Sequence, residues 1–195
     1  EKILMMAMES KSSADITQAV KDIVMECTFN KVDISNMPMF DVEYIFLNIR
    51  SKSVGEVSKL KLLCPDDGKT YADVELDLNE VKVQVGDDHT NKIELGNDMG
   101  MIMKYPTIDS FSETGIRDIN PGNMLEVISS CILQIYEEEG KKVYDTKDQT
   151  KKEVTDWIEQ LNSKQFKDVQ NFFETMPKLK HEITIKNPKT KKESK

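Results

Sequence analysis

Chemistry in this sequence would have to start from few residues. His89 follows Asp87 and Asp88, an imidazole beside two carboxylates and the nearest approach to a metal or general-base constellation. A hydrolase built on these three would have to bind a divalent metal tightly. The only other histidine is His181, and no second ligand pair stands at a useful spacing, so His89 reads as a solvated residue in a polar turn. Gly68-Lys69-Thr70 matches the end of a phosphate-binding loop, but the required upstream glycine would fall at Leu63. The segment also enters a strand instead of a helix, so no nucleotide site is expected. Cys64-Pro65 lacks the Cys-x-x-Cys partner of a zinc knuckle. Neither histidine has an evident route to a cysteine that it would activate. Cys27 and Cys131 interrupt apolar stretches and are expected to be buried as small hydrophobes. Glu137-Glu138-Glu139 is a solvated acidic patch. These residues predict no catalytic group, no cofactor and no metal site.

The 195 residues are 38% hydrophobic and 32% charged, with a formal net charge of −8, which suits one compound domain with appended helices. No run approaches eighteen apolar residues, so no membrane span is expected. The N-terminus lacks a signal-peptide pattern and an initiator Met, as in the ordered part of something longer. Three widely spaced cysteines disfavour a disulfide scaffold and fit a reducing cytoplasm. The acidic balance argues against a general nucleic-acid binder. Charge is uneven, however: residues 178–195 carry seven lysines and two glutamates, leaving −13 on the first 177 residues.

Periodicity assigns the elements that would position these groups. Residues 1–55 read as helical: Ile3, Leu4, Met5, Met6 and Met8 open a first helix, and Asp15 caps a second carrying Ile16, Ala19, Val20, Ile23 and Val24. Thr28 to Ile34 alternates as a short strand, Asn36-Met37-Pro38 turns, and Asp41–Arg50 forms a short buried helix before Gly55. Residues 56–105 alternate with period two, with a hairpin across Cys64–Lys69, and predict one antiparallel sheet of four or five strands. Residues 106–177 return to helical period. Asn123–Glu138 carries Leu125, Ile128, Ile132, Ile135 and Tyr136; a second stripe runs from Val154 to Leu161, with Thr150 and Glu153 at capping-box spacing. A third holds Phe166, Val169, Phe172 and Phe173, starting at Ser163 and stopped by Pro177. In the basic tail, residues 181–186 alternate as an edge strand, and Asn187-Pro188-Lys189-Thr190 turns towards a return strand not evident in the chain. The class is α+β: N-terminal helices, a central antiparallel sheet and a C-terminal helical segment. Eleven methionines, clustered at 5–8, 37–39 and 99–103, read chiefly as core filler and partly as an adaptable docking surface.

Four stretches carry a resemblance to a known family: Glu1 to Ser10, Phe40 to Glu56, Met103 to Thr107 and Phe172 to His181. The second, an acidic-aromatic helix running into Arg50-Ser51-Lys52-Ser53-Val54-Gly55-Glu56, is the most distinctive. Together they resemble the baseplate hub protein family of T4-like contractile-tailed bacteriophages. The resemblance implies a non-enzymatic late protein needed to build the baseplate hub, as hub component or assembly chaperone. Its implied partners are other hub or tape-measure-type proteins, with self-association as a further arrangement; neither membrane nor nucleic acid is expected as a partner. Its implied setting is the host cytoplasm during assembly and the tail baseplate of the virion. Family members continue past both ends of this chain, so the 181–186 edge is expected to find its partner there. Candidate partner-binding residues are Met5, Met6, Met8, Arg50, Lys52, Glu56, Phe166, Phe172, Phe173, Ile183 and Ile185. Arg50 is also expected to pair locally with Asp41 or Glu43. The alternative function is an accessory nucleic-acid-binding protein using the lysine tail, whose binding would fall with salt.

Overall fold

The computed structural model describes residues 13–110, 123–137 and 141–194. In chain order come helices α1 (Ser13–Cys27) and α2 (Met39–Val54), then strands β1 (Val57–Leu63), β2 (Tyr71–Asp77), β3 (Lys82–Gln84), β4 (Lys92–Gly96) and β5 (Met99–Met103). Next are α3 (Met124–Cys131), β6 (Ile132–Glu137), β7 (Lys142–Asp145), α4 (Lys151–Ile158) and α5 (Ser163–Thr175). Strands β8 (Lys178–Lys180), β9 (Ile185–Lys186) and β10 (Glu193–Ser194) end the chain. The fold is α+β, as the periodicities predict. It divides into two compact units, Glu1–Met39 with Val85–Pro177, and Phe40–Gln84 with Lys178–Lys195.

In the first unit, β4, β5, β6 and β7 form an antiparallel sheet in that order. One face carries the core: Met101, Met103, Ile128, Cys131, Ile132, Ile158, Val169 and Phe172 are all at most 2% exposed. Three sequence expectations change here. Thr28–Ile34 is a turn, because Phe29 and Asn30 are both left-handed (φ 56° and 55°) and cannot continue a ladder. The Thr28 and Asn30 amides instead close the end of α1 through the Val24 and Met25 carbonyls. The helix expected over 123–138 ends at Cys131, and the chain continues as β6. Ile132, Ile135 and Tyr136 are buried as the stripe requires, but ladders to both β5 and β7 satisfy their backbone better than helix continuation would. Strand β7 and a single 3₁₀ turn, Thr146–Asp148, interrupt the 106–177 stretch that periodicity assigns to helices. The caps are more legible. Thr150 and Glu153 form the reciprocal capping box expected for α4. Helix α5 has its own box from Asn162 and Gln165, one residue ahead of the expected Ser163 start, and ends before Pro177. Residues 1–12, with the first predicted helix, lie outside the described residues.

In the second unit, α2 extends beyond the expected Asp41–Arg50 at both ends and stops at Gly55, whose φ of +141° suits no side chain. The expected hairpin is present: β1 pairs antiparallel with β2, from Val57↔Asp77 to Leu63↔Tyr71. In its turn Asp67 accepts hydrogen bonds from the Lys69 and Thr70 amides and the Thr70 hydroxyl. These donors, the Thr70 hydroxyl foremost, hold the carboxyl far below the usual carboxylate range. The strands of 56–105 do not share one sheet. β3 pairs with β8 across the chain, Lys82↔Lys180 to Gln84↔Lys178, while β4 and β5 belong to the first unit. Alternation marks a strand without specifying its neighbour. The C-terminal edge is also revised. His181–Thr184 lies outside any strand, and β9 pairs with β10, so the return strand lies within the chain. Asn187, 1% exposed, organises that turn: its Nδ2 donates to Asp66 at 2.8 Å and its Oδ1 accepts from the Lys189 and Thr190 amides.

Candidate functional site

His89 is where chemistry would begin, and the fold places it differently from the expected solvated turn. It is half-buried, with its ring against Tyr105 (centroids 5.7 Å apart) and Phe172 (5.3 Å). The Thr175 hydroxyl donates to the Asn171 carbonyl and so accepts from His89 Nδ1–H at 2.9 Å. Nε2 is then the acceptor for the Tyr105 hydroxyl at 3.0 Å. The Gly86 amide donates to the Thr175 carbonyl, tying the same turn to the end of α5. Both ring nitrogens are engaged, which makes His89 a clamp on α5 and leaves neither nitrogen open as a base or ligand. Among the described residues no three His, Cys, Asp or Glu side chains are grouped to hold a metal ion. Burial holds the His89 imidazole below its ordinary value. Its folded pKa being depressed, the clamp's contribution is complete above the unfolded value of about 6.5 and is lost as pH falls through the folded one. Denaturation midpoints therefore decline from pH 7.5 to 5.5, and His89→Gln removes part of that slope; an unchanged slope in the variant overturns the assignment.

The cysteines divide. Cys131 is fully buried and its thiol is pushed up to about 11 by burial, while Cys64 is buried beside the Asp66–Asp67 turn. Cys27 is exposed, against expectation: it is the last residue of α1, where the chain leaves the helix into the Thr28–Asn30 turn. Burial raises both of these thiols and so disfavours the thiolate form that a nucleophile needs.

The candidate contact residues separate equally clearly. Phe172 and Phe173 are core, packed edge to face at 5.1 Å, and Phe166 packs against the same core; burial removes the first two from any docking face. Ile185 is buried in the second unit, whereas Ile183 is half-exposed. Lys52 and Glu56 form an exposed i,i+4 ion pair at 2.5 Å. Arg50 makes no ion pair with Asp41 or Glu43 among the described residues, and its Nη1 is buried without a hydrogen-bond partner. The reason is helical spacing: Glu43 lies two turns away, about 10 Å along the axis, and Asp41 is on the opposite side. Met5, Met6 and Met8 lie outside the described residues.

The surface that sequence reasoning passes over is the four-stranded sheet of the first unit. On its outer face Lys92, Ile102, Gln134 and Asp145 form one cross-strand row, and Glu94, Gly100, Tyr136 and Val143 the next. The Lys92 ammonium pairs with Glu94 at 2.7 Å and lies 5.2 Å from the centroid of the Tyr136 ring. That ring crosses β5 at Gly100, where an added Cβ would stand 2.2 Å from the Tyr136 hydroxyl, so only glycine fits there. Burial and then the Glu94 carboxylate push the Tyr136 phenol up. A cavity of about 560 Å³ opens on this face. It holds an ion pair braced on an aromatic ring, with no nucleophile beside a base. On the edge strand β7, Val143 and Tyr144 are 52% and 41% exposed, and on the neighbouring β6 Leu133 is 46% exposed. The adjacent β-formers Val143-Tyr144 are the only local sign of this edge.

No helix among the described residues is long and apolar enough to cross a membrane. No curated protein and no solved structure matches the chain. One family model does, that of the T4 bacteriophage base plate protein, and it spans residues 1–195. A match over the whole chain, on a fold whose polar clusters brace structure and whose strand edge presents apolar side chains, makes this chain a member of the T4 bacteriophage base plate protein family.

Proposed function

We propose that this protein is a non-enzymatic factor in building the baseplate hub, acting by contact with other hub or tape-measure-type proteins as hub component or assembly chaperone. The observation that carries this reading, beside the family, is the exposed apolar pair Val143 and Tyr144 on the edge strand β7. Isolated exposed apolar residues are ordinary, but two adjacent ones on a strand whose outer side is unpaired among the described residues are what a strand-pairing partner would cover. Lys52, Glu56 and Ile183 remain accessible enough to extend the contact surface on the second unit. Assembly in the host cytoplasm, before incorporation in the tail, suits such a role. The lysine tail offers less support for nucleic-acid binding: Lys180 pairs with Glu182 and Lys186 with Glu193, and the tail is folded as β8, β9 and β10.

Co-expression with the phage's other hub proteins, followed by size-exclusion chromatography with light scattering, tests this. A stable complex of defined mass is expected. A chain that elutes alone beside every hub protein would sink the proposal. Mass spectrometry of purified tails then separates a resident component from a chaperone that leaves.

A further inference from the structure

The edge strand β7 borders a small second cavity, of about 160 Å³, on the core side of the sheet. Its walls include Tyr144 of β7 and Trp157 and Val154 of α4, and its rim carries the carboxylates of Glu137 and Glu153. Drug-sized ligand sites are typically about 300 Å³ or more, whereas a cavity of about 150 Å³ holds a single ring. This one suits one side chain. Aromatic walls below two carboxylates select its charge, because an ammonium or guanidinium gains from ring faces and from the acidic rim together. Bonds from the Thr150 amide and hydroxyl hold the Glu153 carboxyl below its ordinary value. The −13 of the first 177 residues adds a long-range preference for a cationic visitor.

The strand supplies the rest of the geometry. β7 is last in the order β4-β5-β6-β7, with no strand paired to its outer side among the described residues. Val143 faces Tyr136 in the ladder and Tyr144 faces Ile135, so the two side chains leave on opposite faces of the sheet. A strand added there would place alternate side chains beside Val143 and over the Tyr144–Trp157 cavity. Main-chain bonds would give such a site affinity, and the pocket would give it selectivity.

We infer that the outer edge of β7 accepts an extended segment of a partner protein as an added strand, with one lysine or arginine of that segment seated between Tyr144 and Trp157 under Glu137 and Glu153. This deepens the contact-based reading above and rests on it. A second copy of this chain, or an apolar segment, would behave differently in the test.

The test uses the full chain and the synthetic peptide acetyl-Thr-Val-Arg-Val-Thr-amide, with partners in which Glu or norleucine replaces the arginine. Trp157 is the only tryptophan, so its emission and indole NMR signal report this pocket alone. Saturable amide shifts are expected over Val143–Asp145 and at the Trp157 indole, with the glutamate peptide about tenfold weaker and the preference shrinking with salt. Glu137→Lys, on the rim and outside the core, takes the two rim charges from −2 to 0 and should remove most of the preference for the arginine over the glutamate peptide while leaving the rest of the spectrum in place. No saturable shift at about ten times a millimolar Kd, equal binding of all three peptides, or shifts centred elsewhere would each overturn the inference. Concentration-dependent shifts without peptide would point to self-association and overturn it as well. No hub protein enters this experiment, so its failure and that of the co-expression test are separate events.

Discussion

Phe172→Ala lowers the unfolding free energy by about 3–5 kcal/mol, the range for deleting a buried aromatic ring from a packed core. Phe172 is 2% exposed and sits where three rings meet: Tyr105 stacked at 5.6 Å, His89 at 5.3 Å and Phe173 edge-on at 5.1 Å. Methyl-sized collapse cannot fill that space, because the neighbours are planar and two of them are fixed by the His89 hydrogen bonds. Typical domains have about 5–15 kcal/mol in total, so the variant is marginal or unfolded near 37 °C. Urea titration followed by circular dichroism measures the loss, and Phe172→Leu should restore about half of it. A loss under about 1 kcal/mol would mean that the ring is not the keystone its packing implies. The His89-dependent part of the pH slope should shrink in the same variant, since the imidazole loses the surface that desolvates it.

Asn187→Ala opens the C-terminal hairpin of the second unit, at a cost of about 2–4 kcal/mol to that unit. The substitution removes a buried amide that serves both turns, leaving the Lys189 and Thr190 amides without their acceptor and Asp66 with the Thr190 hydroxyl as its remaining side-chain donor. Exposed turn residues rarely matter this much. Here the buried Asn187 side chain, with the Thr190 hydroxyl, links the β1–β2 turn to the β9–β10 turn, 121 residues apart in sequence. Hydrogen exchange is the discriminating measurement: amides of β9 and β10 should lose protection while those of β5 and β6 keep theirs. Uniform loss across both units would show instead that the hairpin's stability is shared throughout the chain. Acid should act on the same link. The Asn187 bond, with that of Thr190, holds the Asp66 carboxyl below its ordinary value, so the latch is complete above the unfolded carboxylate range and weakens as pH falls through the folded value.

The baseplate family gives these structural predictions a functional setting. On the contact-based reading proposed above, the edges that would meet a partner must keep one arrangement. The clamps at His89 and Asn187 do that for segments with few apolar contacts of their own. The exposed edge at Val143–Tyr144 lies instead on a strand tied into the sheet by β6, with the Thr146 hydroxyl anchoring its end to the Ile132 carbonyl at 2.7 Å. Contact surfaces on rigid strands lose little conformational freedom when a partner binds.

The features legible in the amino-acid order alone are local. The capping box at Thr150 and Glu153, the end of α2 at Gly55, the stop ahead of Pro177 and the Cys64–Lys69 reversal each depend on residues within a few positions of one another. Such signals survive any tertiary arrangement, because the interactions that create them close inside one turn of chain. The family-bearing stretches around Phe40–Glu56 were legible for a similar reason, as uninterrupted text. The tertiary structure alone decided which strands pair, where the helix through Cys131 gives way to β6, and how the tail finds its return strand in β10. It also turned His89 from a loop residue into a clamp, through partners 16 and 86 residues away. Period two fixes which side of a strand is apolar but not which backbone will supply its hydrogen bonds. That choice belongs to the packed chain: β3 pairs with β8, at Lys82↔Lys180, because there the backbone groups of both are satisfied while Val83 and Leu179 share one side.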